Sequence, residues 1–148
     1  MHNAADLLTF SGIVCFLIAI LHIVIIIVGP KAYRYFGAGE DLSSLAEKHS
    51  PIPPLLTVFI ATIIAAFGLY AFSGAGKFAR MPMLGPVLII IGSIFSIRGL
   101  ILPVQLFNLL KNPHKTETKE IFFSIIALLT GFCLLYGTFL NRDFIFLP

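Results

Sequence analysis

Residues 84–110 read LGPVLIIIGSIFSIRGLILPVQLFNLL. This stretch is far longer than the apolar face of an ordinary buried helix. At ~1.5 Å per residue it is long enough to cross ~30 Å of hydrocarbon. Near its middle stands Arg98. An arginine at the centre of such a span costs about 2.5–3.5 kcal/mol on insertion scales. The fold must offset that cost with a partner, a water-filled cavity or a ligand. The apolar length therefore decides the fold class, and the arginine says where function is to be sought.

Three further runs have the same character: residues 7–29, ending at Pro30; residues 53–73, entered through Pro51, Pro53 and Pro54; and residues 119–140. Proline is tolerated in a first helical turn, where the backbone N–H groups have no intrahelical acceptor. Pro86 fits that rule, whereas Pro103 lies inside the third run and predicts a kink about one turn beyond Arg98. Composition agrees, with 58% of the 148 residues hydrophobic and 11% charged, against about 25% charged in soluble domains. The expected fold is an all-α integral membrane protein, an antiparallel bundle of four transmembrane helices forming one domain over residues 1–148. The N-terminal residues before the first run contain no Lys or Arg, and no small-residue cleavage site follows it, so that run is expected to be retained. The net charge of +3 comes without a basic arm or basic-aromatic motif, so nucleic acid is not an expected partner.

Each run carries one face of small or weakly polar residues at helical spacing. These are Ser11, Cys15, Ala19, His22 and Gly29 in the first and Thr57, Ala61, Ala65 and Gly68 in the second. The third has Gly85, Gly92, Ser96 and Gly99, and the fourth Ser124, Ala127, Gly131 and Thr138. Small faces let helix backbones approach closely, which is how helices associate in lipid. The large side chains, most of the 15 Phe among them, are then expected to face outward.

The first connection, residues 31–52, holds a segment, Glu40 to Lys48, that predicts a short amphipathic helix with Leu42, Leu45 and Ala46 on one face. Its acidic residues fall in the first turn, where the helix dipole favours them. The first and third connections and their edges hold Lys31, Arg34, Lys48, Lys111, Lys115 and Lys119, against Lys77, Arg80 and Arg142 on the other side. This excess predicts both termini outside the cell and the first and third connections in the cytoplasm.

Depth along the helices places His22 and Arg98 in one layer, about 20 Å from the outer ends. Gln105 lies two turns further along the same face of the third run. The carboxylates expected to reach Arg98 are Glu40 or Asp41, folding back from the first connection. Tyr33-Arg34-Tyr35-Phe36-Gly37-Ala38-Gly39-Glu40 combines aromatics, a cation and two glycines that allow positive φ. It reads either as a head-group clamp or as an interfacial turn. Candidate ligand-binding residues are thus Arg98, His22, Glu40, Gln105, Arg34 and Tyr35. Arg98 offers a planar donor fork suited to carboxylate, phosphate or a carbonyl head group. Cys15 and Cys133 form no CxxC, and the histidines and acids show no metal-ligand spacing, so no metal is expected and no cofactor is identified.

His22, Gly29-Pro30, the octapeptide 33–40, Gly-Leu-Tyr-Ala-Phe-Ser-Gly-Ala-Gly at 68–76, Met-Pro-Met-Leu at 81–84 and Arg98-Gly99 resemble a family of small uncharacterised bacterial inner-membrane proteins. The resemblance covers roughly the first three runs and implies a multi-pass protein of the bacterial inner membrane. The architecture is also similar to four-helix quinone-linked thiol oxidoreductases and DoxX-like proteins, although the CxxC of such oxidoreductases is missing here. Three functions fit. One is binding, or transport, of a lipid-like, quinone-like or anionic molecule in a polar pocket within the bundle. The alternative is a non-catalytic accessory or structural subunit of a larger membrane complex or homo-oligomer. The third is an enzyme using His22 as acid–base beside Arg98, and it is the least supported because no nucleophile, metal site or cofactor motif accompanies them.

Overall fold

A computed structural model describes residues 2–111 and 118–146. The described residues form eight helices: α1 His2–Val28, α2 Pro30–Tyr35, α3 Glu40–Glu47, α4 Ile52–Gly74, α5 Leu84–Gly99, α6 Leu102–Lys111, α7 Thr118–Leu140 and α8 Arg142–Phe146. Four segments are long and apolar enough to cross a membrane: Asn3–Val28, Ile52–Gly74, Leu84–Lys111 and Lys119–Leu140. The all-helical class and the four long apolar segments are as the sequence implies. Most of the third connection, including His114 and Lys115, lies outside the described residues.

The chain groups into two compact units. One comprises Met1–Gly12 and Leu69–Pro148, the other Ile13–Gly68. Long helices α1 and α4 each contribute to both.

The larger unit is organised by α5 and α7, which run antiparallel with their backbones almost touching. The register reads from the glycines. A Cβ added at Gly92 would lie 2.8 Å from Leu135 Cγ, one at Gly131 2.6 Å from Ser96 N, and one at Gly99 2.6 Å from Leu128 Cα and N. As the chain advances along α5, the facing positions retreat along α7. No side chain larger than hydrogen fits at Gly99 or Gly131 without moving backbone, so this pair is the close approach that small faces permit. At the other end of α5, Leu8 of α1 fills the space beside Gly74 and Gly137, and Phe146 of α8 covers Gly85. Leu8, Leu88, Leu134, Ser11, Ser73, Ser124 and Thr130 are fully buried.

In the same unit α4 is fastened to its neighbours by side-chain hydrogen bonds. Buried Ser73 donates through Oγ to Ala79 O at 2.9 Å and accepts from Met81 N at 2.9 Å. Tyr70 donates to Pro82 O at 3.3 Å, and Asn141 Nδ2 donates to Gly74 O at 2.9 Å. The connection over residues 73–82 is therefore knitted by hydrogen bonds, with Tyr70 as a tether to it.

The smaller unit shows how the first connection folds. Gly29, at φ 78°, ends α1, and Pro30 opens α2. Gly37 and Gly39, at φ 74° and 90°, make the reversal into α3. Such φ values strain any residue with a Cβ. Tyr33 is buried against Ile25, Ala32 and Ala46, with Leu21, Phe36 and Leu42 around them. Its hydroxyl lies 3.1 Å from Thr57 Oγ1. The Thr57 proton is already given to Pro53 O at 2.8 Å, so Tyr33 is the donor. The amphipathic helix foreseen over 40–48 is present as α3, with Ala46 buried and Leu42 and Leu45 half-buried. α2 and α8 are not legible in the sequence pattern.

Candidate functional site

Arg98 stands in the last turn of α5. The third apolar run is interrupted just beyond it. Leu100 and Ile101 are non-helical, and α6 restarts at Leu102. The proline effect foreseen as a kink is thus a break, with Pro103 in the first turn of a new helix instead of a helix interior. Pro103 has no N–H to give to the Gly99 carbonyl, and its ring disfavours helical geometry in the preceding residues.

The Arg98 side chain does not lie level with its own backbone. Gly99 faces Leu128, yet Arg98 Nη1 donates to Ser124 Oγ at 3.1 Å, one turn further toward the Lys119 end of α7. The guanidinium reaches along α7 toward that end. Arg98 is exposed and Ser124 fully buried. The expectation of an enclosed guanidinium is corrected here. The face of α5 turned to α7 is occupied by Gly92, Ser96 and Gly99 at near backbone contact, which leaves no room for a long side chain. Ser124, a neutral hydroxyl, is the hydrogen-bond partner of Arg98 among the described residues of its unit. One guanidinium donor is engaged out of five.

Gln105, on α6, is half-buried, and its Oε1 is enclosed without a hydrogen-bond partner among the described residues.

The other candidates belong to the smaller unit. His22 is half-buried on α1, and its Nδ1 donates to Ile18 O at 2.8 Å. Because a carbonyl oxygen only accepts, Nδ1 carries the proton of that bond. Arg34, exposed on α2, is ion-paired to Glu47 of α3. Both side chains are solvent-accessible, so the pair contributes at most ~1 kcal/mol, but it closes the α2–α3 hairpin. Tyr35 is exposed and meets Phe36 edge-on, with ring centroids 5.0 Å apart. Glu40 is exposed in the first turn of α3 beside Asp41. Arg34, Tyr35 and Glu40 are thus brought into one hairpin, whose Arg34 is engaged by Glu47.

Cys15 is a buried free thiol and Cys133 a half-buried one. Sequence reasoning missed Ser124 as the hydrogen-bond partner of Arg98. The signal was present in the pairing of two small faces, but it needed the antiparallel register of α5 on α7 to be read. Comparison with protein-family profiles, with curated proteins and with solved structures gives no match for this chain.

Proposed function

We propose that the chain is a multi-pass protein of the bacterial inner membrane, both termini outside, that binds an anionic, lipid-like molecule at Arg98. The membrane reading is supported by an inverted pattern of burial. Ser11, Ser73, Ser124 and Thr130 are fully buried, while Leu17, Ile27, Ile97, Phe122, Phe132 and Leu110 are 58% exposed or more. Such a surface suits hydrocarbon, and small polar residues packed inside are how helices associate there. The observation that carries the ligand reading is Arg98 itself: an exposed guanidinium on an apolar segment of membrane length, anchored to a hydroxyl and not to a carboxylate within its unit. A cation so placed needs a counter-charge, and a carboxylate or phosphate head group arriving from the bilayer supplies one in the geometry the fork prefers.

Native mass spectrometry of the chain extracted in mild detergent tests this. The expected result is a co-purifying anionic amphiphile whose occupancy falls several-fold in Arg98→Gln, with little change in melting temperature. A wild-type chain that retains no such molecule overturns the reading. So does an Arg98→Gln chain that melts early with retention unchanged, because the arginine would then be a structural element of the α5–α7 pair.

A further inference from the structure

At the opposite end of α7 from Ser124 the larger unit holds a cavity of about 440 Å³, lined by Ile89, Leu135, Thr138, Phe139, Arg142 and Phe146 together with Asp143. Its size falls in the range of small-ligand sites, and its composition, mostly apolar with a few polar groups, is that of such sites. Two features of the lining point to an occupant.

The first is Thr138. It is 2% exposed, and its Oγ1 has no hydrogen-bond partner among the described residues. A helical threonine ordinarily donates to the carbonyl four residues back, as Thr130 does to Ile126 O at 2.7 Å, two turns earlier on the same helix. Thr138 leaves that acceptor unused. A buried hydroxyl without a partner is a group that a ligand atom can satisfy; because the Oγ1 itself is enclosed, it reaches the cavity by a turn about the Thr138 Cα–Cβ bond.

The second is Arg142. Its guanidinium stands 5.4 Å from the centroid of the Phe139 ring. Its contact with Asp143 is 3.8 Å long and its side chain 64% exposed, so the pairing is loose and the cation remains open to a better anion. A second arginine at this end of the unit, Arg80, donates to Ile145 O at 3.3 Å beside the adjoining cavity on the far side of Phe146. Among the described residues Arg142 is the cation of this cavity's own lining, set over apolar walls.

We propose that this cavity binds a phospholipid, with the phosphate on Arg142, the Thr138 hydroxyl donating to a phosphate or ester oxygen, and one acyl chain along Ile89, Leu135 and Phe139. This site is separate from Arg98 and stands whether or not the Arg98 reading holds.

The experiment uses the full chain in phosphatidylcholine nanodiscs doped with phosphatidylglycerol, followed by delipidation-resistant lipid counting by native mass spectrometry. Wild type is expected to retain one phosphatidylglycerol that Arg98→Gln does not remove. Arg142→Gln should weaken its retention several-fold, and Ile89→Trp, which fills the cavity without touching charge, should expel it. Thr138→Val gives the most discriminating readout. The hydroxyl is unsatisfied when the site is empty, so valine should raise the melting temperature of delipidated chain while lowering lipid retention. A merely structural threonine would not move the two in opposite directions. Unchanged retention in both Arg142→Gln and Ile89→Trp overturns the proposal. So does displacement of the lipid by millimolar inorganic phosphate, since the cavity would then select free phosphate and not a lipid.

Discussion

The Tyr33–Thr57 contact is a directional hydrogen bond, and its direction makes an asymmetric prediction. Thr57 gives its proton to Pro53 O and accepts from Tyr33. In Tyr33→Phe every remaining polar group keeps a partner, so the expected cost is the net worth of one neutral hydrogen bond, about 1 kcal/mol. In Thr57→Val the Tyr33 hydroxyl, on a residue only 3% exposed, loses its acceptor and stays buried. That cost should approach the upper part of the ~1–3 kcal/mol range for an orphaned group. Thermal melts of the two variants in detergent check this order, and equal losses would mean that the hydroxyl finds another partner. The same local bookkeeping explains what could be foreseen of the candidate site. Arg98 was legible because a guanidinium in a long apolar run is costly wherever the helix packs. Ser124 and Thr138 were not, because a serine or threonine on a small face looks the same whether its hydroxyl is spent on its own helix, as in Thr130, given to an arginine, or left without a partner.

At the scale of elements, α5 and α7 are held together by what is missing from their facing surfaces. A Cβ at Gly131 would meet Ser96 N at 2.6 Å and Gly92 O at 2.9 Å, and one at Gly99 would meet the Leu128 backbone. Backbone cannot step aside as a side chain does. Alanine at either position gains up to ~1 kcal/mol of helix propensity but forces the two helices apart, and overpacking of this kind costs about 1–3 kcal/mol or more. Gly74 is the contrast: its nearest neighbour is the terminal Cδ1 of Leu88 at 2.7 Å, which can rotate. Gly131→Ala should therefore lower the melting temperature clearly more than Gly74→Ala does, and the reverse order would refute the close-approach account. The same contrast shows which elements a sequence displays. The long apolar segments and α3 were readable because length and periodicity belong to each segment alone. α2 and α8 are too short to be stable by themselves; α2 exists because Tyr33 is buried and Arg34 is paired with Glu47, and α8 because Ile145 is buried and Phe146 seats on Gly85. Partners of that sort leave no local pattern. The break after Arg98 lay between these cases. Pro103 announced a disturbance, but whether it bends or severs the helix depends on the residues that must turn before it.

For the whole molecule the proposed orientation is the claim with the widest consequences, since it decides from which side of the membrane each site is reached. The distribution of basic residues is what favours it. Lys31, Arg34 and Lys48 lie around α2 and α3, and Lys111, Lys115 and Lys119 flank the junction of α6 and α7, against Lys77, Arg80 and Arg142 at the other ends of the long helices. Cytoplasmic loops carry the excess of Lys and Arg. In a background with both native cysteines replaced, Lys31→Cys and Lys77→Cys place one thiol at each of two exposed positions. A membrane-impermeant maleimide applied to intact spheroplasts should label position 77 at once and position 31 only after the membrane is opened. Labelling of position 31 in sealed spheroplasts would invert the topology. The Arg142 cavity would then face the cytoplasm and draw its phospholipid from the inner leaflet, so the lipid counts and the labelling together determine the leaflet each arginine serves.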